Sequence, residues 1–349
     1  MKKVNLFLMV LLTVVFLSSL IMSSHHAKAA PEEPIKLTLA SWSPPMQVIN
    51  RGGIDPWIKE VEKRTGGKVK ITNFPGASLG KPPDHYDLAV KKLAHIATVV
   101  PSFSFGRFPL SGVMELPFLA PNPTASSKTF WELYKKFPEI QKEFGEVKVI
   151  AFFTNDPMQI HTSKKPIRAL DDLKGLKIRA GDKLTADMLK TLGATPIFMS
   201  ITDVYIALER GTIDGAFYTL EAVRGFKLQE VSKYCTVVNF NCLRMGLVMN
   251  LESWNSLQKD IQGIIGEELG GSYFVNLVSA GYEADIKNGI KAMEDAGNKM
   301  IYLPPDEIAK WKKALMPIRE EWVKEMKSKN LPGGEVLDEA IRLIEKYSK

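Results

Sequence analysis

The reading of this chain turns on 172-DLKGLKIRAGDKLTADMLKTLGATPIFMSITDVYIALERGTIDGAFYTLEAVRGFKLQEVSKYCT-236. Leu176, Ile178 and Ala180 share one phase of a period-two pattern and Lys177 and Arg179 the other, which predicts a short strand over 176–180. Gly181 and Asp182 interrupt it. Leu184, Met188, Leu189 and Leu192 then fall on one helical face, with Gly193 at its end. Arg179 is thereby placed at the carboxyl end of a strand, beside the positive end of the next helix, where open α/β sheets bind ligands. A guanidinium offers a rigid pair of donors that matches a carboxylate. The same spacing also suits a surface arginine paired with a nearby acid.

Working outward, 201–208 reads as a short helix capped by Thr202 and ended by Gly211, and 213–217 resumes a strand. Upstream, alternating 35–40 and 68–74 flank a helical 56–64, and this βαβ rhythm continues. Helices are expected near 84–93 and 125–137, with strands at 96–100 and 147–153. From Trp254 the pattern is helical, over 257–296, 306–327 and 334–347. There is no internal repeat and no low-complexity linker.

The first 29 residues read as a targeting segment: Lys2 and Lys3 precede an apolar run over 6–22, and Ala27-Lys28-Ala29 offers a small-x-small cleavage pattern. Export with cleavage after Ala29 is expected. Losing Lys2, Lys3 and Lys28 takes the formal charge from +7 to +4, a solvated surface with no nucleic-acid footprint. Cys235 and Cys242 flank Asn239-Phe240-Asn241, a plausible reversal between strands 235–238 and 243–249. That arrangement permits a cross-strand disulfide in an exported chain, or a pair of half-buried thiols. The chain has neither GxSxG nor HExxH, and residues 76–82 fall one short of a phosphate loop and carry Pro82 where a hydroxyl is needed. No catalytic constellation, cofactor or metal site is expected.

Several separated motifs agree in order with one family. Residues 173–179 (LKGLKIR), 192–199 (LGATPIFM) and 203–215 (DVYIALERGTIDG) resemble the substrate-binding receptors of tripartite ATP-independent periplasmic (TRAP) transporters, as do 106–119 (GRFPLSGVMELPFL) and 166–173 (PIRALDDL). The resemblance spans about 35–300. It implies an α/β fold of the type II periplasmic binding protein class: two lobes, joined by crossing strands, with long bridging helices. On that basis 30–155 with 244–282 are expected as lobe I, and 156–243 with 283–349 as lobe II, the ligand lying between them. A periplasmic monomer that delivers a small organic acid to membrane permease subunits is implied. The receptor of an ABC importer or of a sensory system would share the architecture, and a secreted enzyme is the more distant alternative.

Arg179 matches the family's principal carboxylate-binding arginine. Where many relatives complete the clamp with asparagine, this chain has Tyr218, whose phenol still donates a hydrogen bond and adds an aromatic wall. A second position, often arginine, falls at Gln159, which favours a monocarboxylate and could read a hydroxyl or keto oxygen. Trp42, Phe103, Phe105, Phe217 and Tyr218 either fill cores or wall the pocket, Trp42 and Tyr218 being the stronger candidates. Ile201 would add an aliphatic wall, and Glu221 either faces ligand or only caps a helix over 221–229. An aromatic or branched 2-hydroxy or 2-keto acid fits these walls. His95, where relatives usually carry aspartate, reads as a satisfied strand-end residue.

Overall fold

In the computed structural model, which describes residues 33–349, the chain builds two sheets. The expected targeting segment, 1–29, lies outside the described residues. The first sheet contains β1 (Ile35–Ala40), β2 (Val69–Phe74), β3 (Ile96–Val99), β4 (Val147–Thr154) and β10 (Arg244–Asn250), in the order β2-β1-β3-β10-β4. The second contains β5 (Met158–Thr162), β6 (Lys177–Ala180), β7 (Thr195–Phe198), β8 (Gly215–Thr219), β9 (Tyr234–Val237) and β11 (Lys299–Tyr302), in the order β11-β9-β5-β8-β6-β7. β1 and β3 run parallel, as do β6, β7 and β8, which is what helical crossovers between consecutive strands produce.

The chain passes between the sheets twice near the cleft. Residues 155–157 carry it from β4 to β5, and residues 238–243 bring it back from β9 to β10. The two crossings run side by side: Met158 N–H donates to Asn241 O at 2.7 Å, and Leu243 N–H to Asn155 Oδ1 at 2.7 Å. The hairpin expected over 235–249 is therefore wrong. β9 and β10 belong to different sheets because Asn239-Phe240-Asn241 continues a crossing, although Asn239 does adopt a left-handed φ of 54°. Cys235 and Cys242 are both buried and free, so the disulfide is not formed. Burial pushes each thiol far above the range in which it would be reactive.

Each sheet has its own core. In the first, Phe108 stacks on Phe144 at 4.5 Å and Phe130 on Phe152 at 4.6 Å, below the helix Pro123–Lys136. In the second, Ile160, Ile178, Phe217, Phe240 and Trp311 pack together. Two long helices join the lobes. Gly271–Asp295 places Phe274 against Trp57 and Phe153 of the first lobe, while its Ile286, Ile290 and Met293 pack on Leu220, Val223 and Cys235 of the second. Pro305–Ser328 buries Trp311, Leu315 and Ile318 in the second core and Trp322 and Met326 in the first.

Three sequence expectations are corrected here. The continuous helix over 257–296 is broken before Gly271, whose φ of +45° interrupts it. The tail does not belong wholly to the second lobe: the helix Gly333–Tyr347 buries Val336, Ala340 and Leu343 in the first core. Thr202 does not cap a helix. Its hydroxyl bonds Ser200 Oγ at 2.9 Å in a 3-10 turn, and the helix Val204–Glu209 starts later.

Candidate ligand-binding site

The cleft between the sheets ends in a chamber lined by residues of both lobes. An outer hollow shares Trp42, Phe103, Arg179, Ile201 and Phe226 with it and leads to solvent past Phe105 and Phe198. The first lobe contributes Trp42 and Gln47, just after β1, and Phe103, just after β3. The second contributes Arg179 from β6, Tyr218 from β8 and Glu221 from the turn that follows.

Arg179 is 7% exposed. Its Nε donates to Met199 O at 3.3 Å, and among the described residues it has no carboxylate partner. The nearest acid in sequence, Asp182, is spent as a helix cap: it accepts from Thr185 N–H at 2.8 Å and from the Thr185 hydroxyl at 2.7 Å. Burial pulls the guanidinium below its ordinary pKa, which is the signature of a desolvated cation short of counter-charge. Gly181 is what lets it lie there. A Cβ at Gly181 would stand 2.6 Å from Arg179 Nη2 and 2.9 Å from Cζ. The reading of Arg179 as a surface residue paired with an acid is thereby excluded.

The walls are aromatic. Trp42, Phe103, Phe217, Tyr218 and Phe226 surround the chamber with Ile201 at its mouth, and Tyr218 meets Phe226 edge to face at 5.7 Å. Burial pushes the Tyr218 phenol well above its ordinary pKa, so it stays protonated and can donate. Glu221 also lines the chamber, in a turn and not at the head of a helix. Asp156 Oδ2 takes the Leu220 and Glu221 N–H groups, and the helix is reduced to Leu228–Val231.

Gln159 is placed elsewhere. Its Oε1 accepts from Val238 N–H at 2.8 Å and Asn239 N–H at 3.0 Å, and its Nε2 donates to Asn239 Oδ1 at 2.7 Å and to Pro157 O at 2.9 Å. The side chain is consumed in pinning one crossing segment to the other and does not line the chamber. Met158, its neighbour, does, as do Gln47, Asn155, Met245 and Tyr282, none of which the sequence singled out. His95 bonds Thr38 Oγ1 at 2.8 Å, away from the cleft, as a satisfied strand-end residue would. Among the described residues no cluster of three His, Cys, Asp or Glu stands where it could hold a metal.

A cleft between two sheets that holds a buried cation without a carboxylate partner suits a solute receptor. The family model of the bacterial extracellular solute-binding proteins, family 7 (DctP), matches residues 43–325, and the chain belongs to that family. Among solved structures, a TRAP solute-binding protein from Rhodoferax ferrireducens with copurified benzoate superposes with a TM-score of 0.86 at 28% identity, over 90% of this chain and 98% of that one. A TRAP periplasmic protein from Bordetella bronchiseptica with bound mandelate gives 0.84 at 26% identity, over 90% and 99%. The C4-dicarboxylate-binding periplasmic protein DctP of Rhodobacter capsulatus is 27% identical over 265 residues, 74% of this chain and 78% of that relative. The chain is thus an extracytoplasmic solute-binding receptor of the TRAP class, as its family and its structural neighbours are solute-binding receptors and not enzymes.

Proposed function

We propose that this receptor captures a small aromatic monocarboxylic acid and delivers it to a TRAP membrane permease. The observation that carries this reading is the buried Arg179 guanidinium, whose fork faces the chamber without a protein carboxylate. A buried cation is costly unless something neutralises it, and a ligand carboxylate does so with charge-assisted hydrogen bonds of about 1.5–3 kcal/mol each. Arg179 is the one cation among the described residues lining the chamber, so a second carboxylate on the ligand would find no cationic partner. The aromatic walls suit a flat ring; a branched 2-hydroxy or 2-keto acid is the second choice. The benzoate and mandelate held by structural neighbours support the same class.

Closure would bend the chain at the paired crossings, 155–157 and 238–243, with the lobes turning as units and the bridging helices keeping hold of both. The ligand drives closure to the extent that it binds the closed state better. The closed lobes together then present the surface that the permease recognises. Cleavage after Ala29 and release as a periplasmic monomer complete this picture.

Calorimetry with benzoate, phenylacetate, mandelate and succinate tests it. The aromatic monoacids should bind and succinate should not. Arg179→Ala should weaken the aromatic acids by about 2 kcal/mol or more. Succinate binding tighter than all three, or affinity indifferent to Arg179→Ala, overturns the assignment.

A further inference from the structure

Glu221 is the chamber acid that carboxylate capture leaves without a task. It is 7% exposed, its Oε1 meets only the Thr219 hydroxyl at 3.4 Å, and its Oε2 has no hydrogen-bond partner. Asp156 lies behind it, with Oδ2 on the Leu220 and Glu221 N–H groups and Oδ1 without a partner. The nearby cations are spent on a third acid: Arg51 pairs with Asp285 at 2.5 Å and Arg224 with the same carboxylate at 3.5 Å. A buried carboxyl oxygen in a cavity wall with no protein partner marks a place where an occupant of the cavity completes the bonding.

The pole it forms is separate from the guanidinium. Arg179 pairs with Ala216 across β6 and β8, Tyr218 lies two residues further along β8, and Glu221 three beyond that. Beyond the rise that burial gives it, the Tyr218 phenol is pushed up by Glu221 and pulled down by Arg179, as a residue lying between the two would be. Across the cleft, Gln47 of the first lobe packs on Gly225, in the same turn as Glu221 and so close that any Cβ at Gly225 would collide with its amide. Gln47 Nε2 is likewise buried without an acceptor, and Gln47 lines the chamber. The chamber wall therefore holds, without partners, a carboxyl oxygen of Glu221, a group that when protonated can donate as well as accept, and an amide N–H of Gln47 in search of an acceptor. A hydroxyl both donates and accepts, whereas an ammonium only donates. Burial and Asp156 also keep the Glu221 carboxyl protonated well above its ordinary range, which disfavours a cationic partner.

We propose that Glu221 and Gln47 read a hydroxyl on the ligand at the end away from its carboxylate, which makes the substrate class hydroxylated aromatic monocarboxylic acids. This rests on the assignment of Arg179 as the carboxylate anchor. It also gives closure a sensor, because one reader sits on each lobe and the hydroxyl joins them.

Calorimetry on the exported receptor with benzoate, 3-hydroxybenzoate, 4-hydroxybenzoate and 3-(aminomethyl)benzoate decides it. At least one hydroxybenzoate should bind about tenfold or more tighter than benzoate. Glu221→Leu should erase that preference, and Glu221→Gln should keep part of it. Gln47→Leu, on the other lobe, should shrink the same preference independently, which keeps the test intact if one variant folds poorly. Equal affinities in the unaltered receptor, an unchanged preference in both leucine variants, or tightest binding of 3-(aminomethyl)benzoate each overturn the hydroxyl assignment. In those cases Arg179→Ala still abolishing benzoate binding leaves the carboxylate assignment standing. Benzoate binding that survives Arg179→Ala, or no binding by any probe, defeats both.

Discussion

Two arginines are buried to almost the same depth in this receptor, Arg179 at 7% exposure and Arg244 at 5%, and they are built for opposite purposes. Arg244, which opens β10, donates through Nη1 to Phe108 O and to Ser111 Oγ, both at 2.8 Å, and its Nε lies 3.6 Å from Glu115 Oε2. Its own N–H donates to Glu115 Oε1 at 3.2 Å. Arg179 has one protein acceptor, the Met199 carbonyl, and open space before its fork. Depth of burial therefore does not identify a ligand-binding arginine. What identifies it is a deficit of hydrogen-bond acceptors that the fold leaves uncorrected, a deficit that costs stability in the empty receptor and is recovered on binding.

The comparison is broken most forcefully at Arg244. Arg244→Ala strands Glu115 in the first core and removes the donor to Phe108 O, so urea denaturation should show a loss of about 3–5 kcal/mol. Benzoate affinity of the folded fraction should not change. Arg179→Ala, which lowers affinity as stated above, should leave the stability of the empty receptor unchanged or raised, because a desolvated cation is removed at the cost of one long hydrogen bond to Met199 O. Equal destabilisation by the two substitutions would mean that Arg179 has structural partners after all, and the contrast would fail.

A smaller effect sharpens the contrast without touching either arginine. Gly181→Ala puts a methyl group where the Arg179 guanidinium lies, with the nearest atoms 2.6–3.0 Å away, so the side chain must swing out of its seat. The backbone at Gly181 is not left-handed, and alanine can adopt it. Affinity for benzoate should drop by about 1–2 kcal/mol, less than on deletion of the guanidinium, with the melting temperature nearly unmoved. An unaltered affinity would show that the seat over Gly181 is not the binding conformation.

Much of this was legible from residues 172–236. The alternation around Ile178 gave the strand, and the break at Gly181 put Arg179 at its end, because both are local signals. The partners of Arg179 were not legible. That Asp182 would be spent on Thr185, and no other acid would arrive, depends on how the helix Lys183–Thr191 packs. The crossing at 238–243 was misread as a hairpin because alternation tells which residues share a face and not which sheet a strand joins. Gln159 was misplaced for the same reason: its partners, Val238 and Asn239, are some eighty residues away in the second crossing. The tail was assigned to one lobe because helical periodicity marks an apolar face without naming its neighbour, and the helix Gly333–Tyr347 lies on the first core.

The subtlest difference between the two arginines concerns the acid that only one of them has. Despite Arg244, burial pushes Glu115 up to about 7, with Asp182 adding to the rise and Arg244 and Ser102 opposing it. A carboxyl whose folded pKa lies above its unfolded value holds a proton that the unfolded chain has released, so its contribution favours the fold at low pH. That contribution fades as pH rises through about 7. An ordinary ion pair would have the opposite sign. The contribution of Glu115 to the melting temperature of the empty receptor should therefore fall between pH 6.5 and pH 8. His85, His95 and His161 slope the opposite way, because burial lowers each folded pKa while the unfolded imidazoles still take up protons through their ordinary range. Glu143, Asp156 and Glu221 slope the same way as Glu115, so the diagnostic quantity is the difference between the receptor and its Glu115→Gln variant. The variant should lose part of the pH slope, a change of a few degrees at most, while Arg179→Ala should lose none of it. A steeper slope in Glu115→Gln would mean that Arg244 holds its partner ionised, and that the two arginines differ in having a counter-charge and not merely a hydrogen-bonding neighbour.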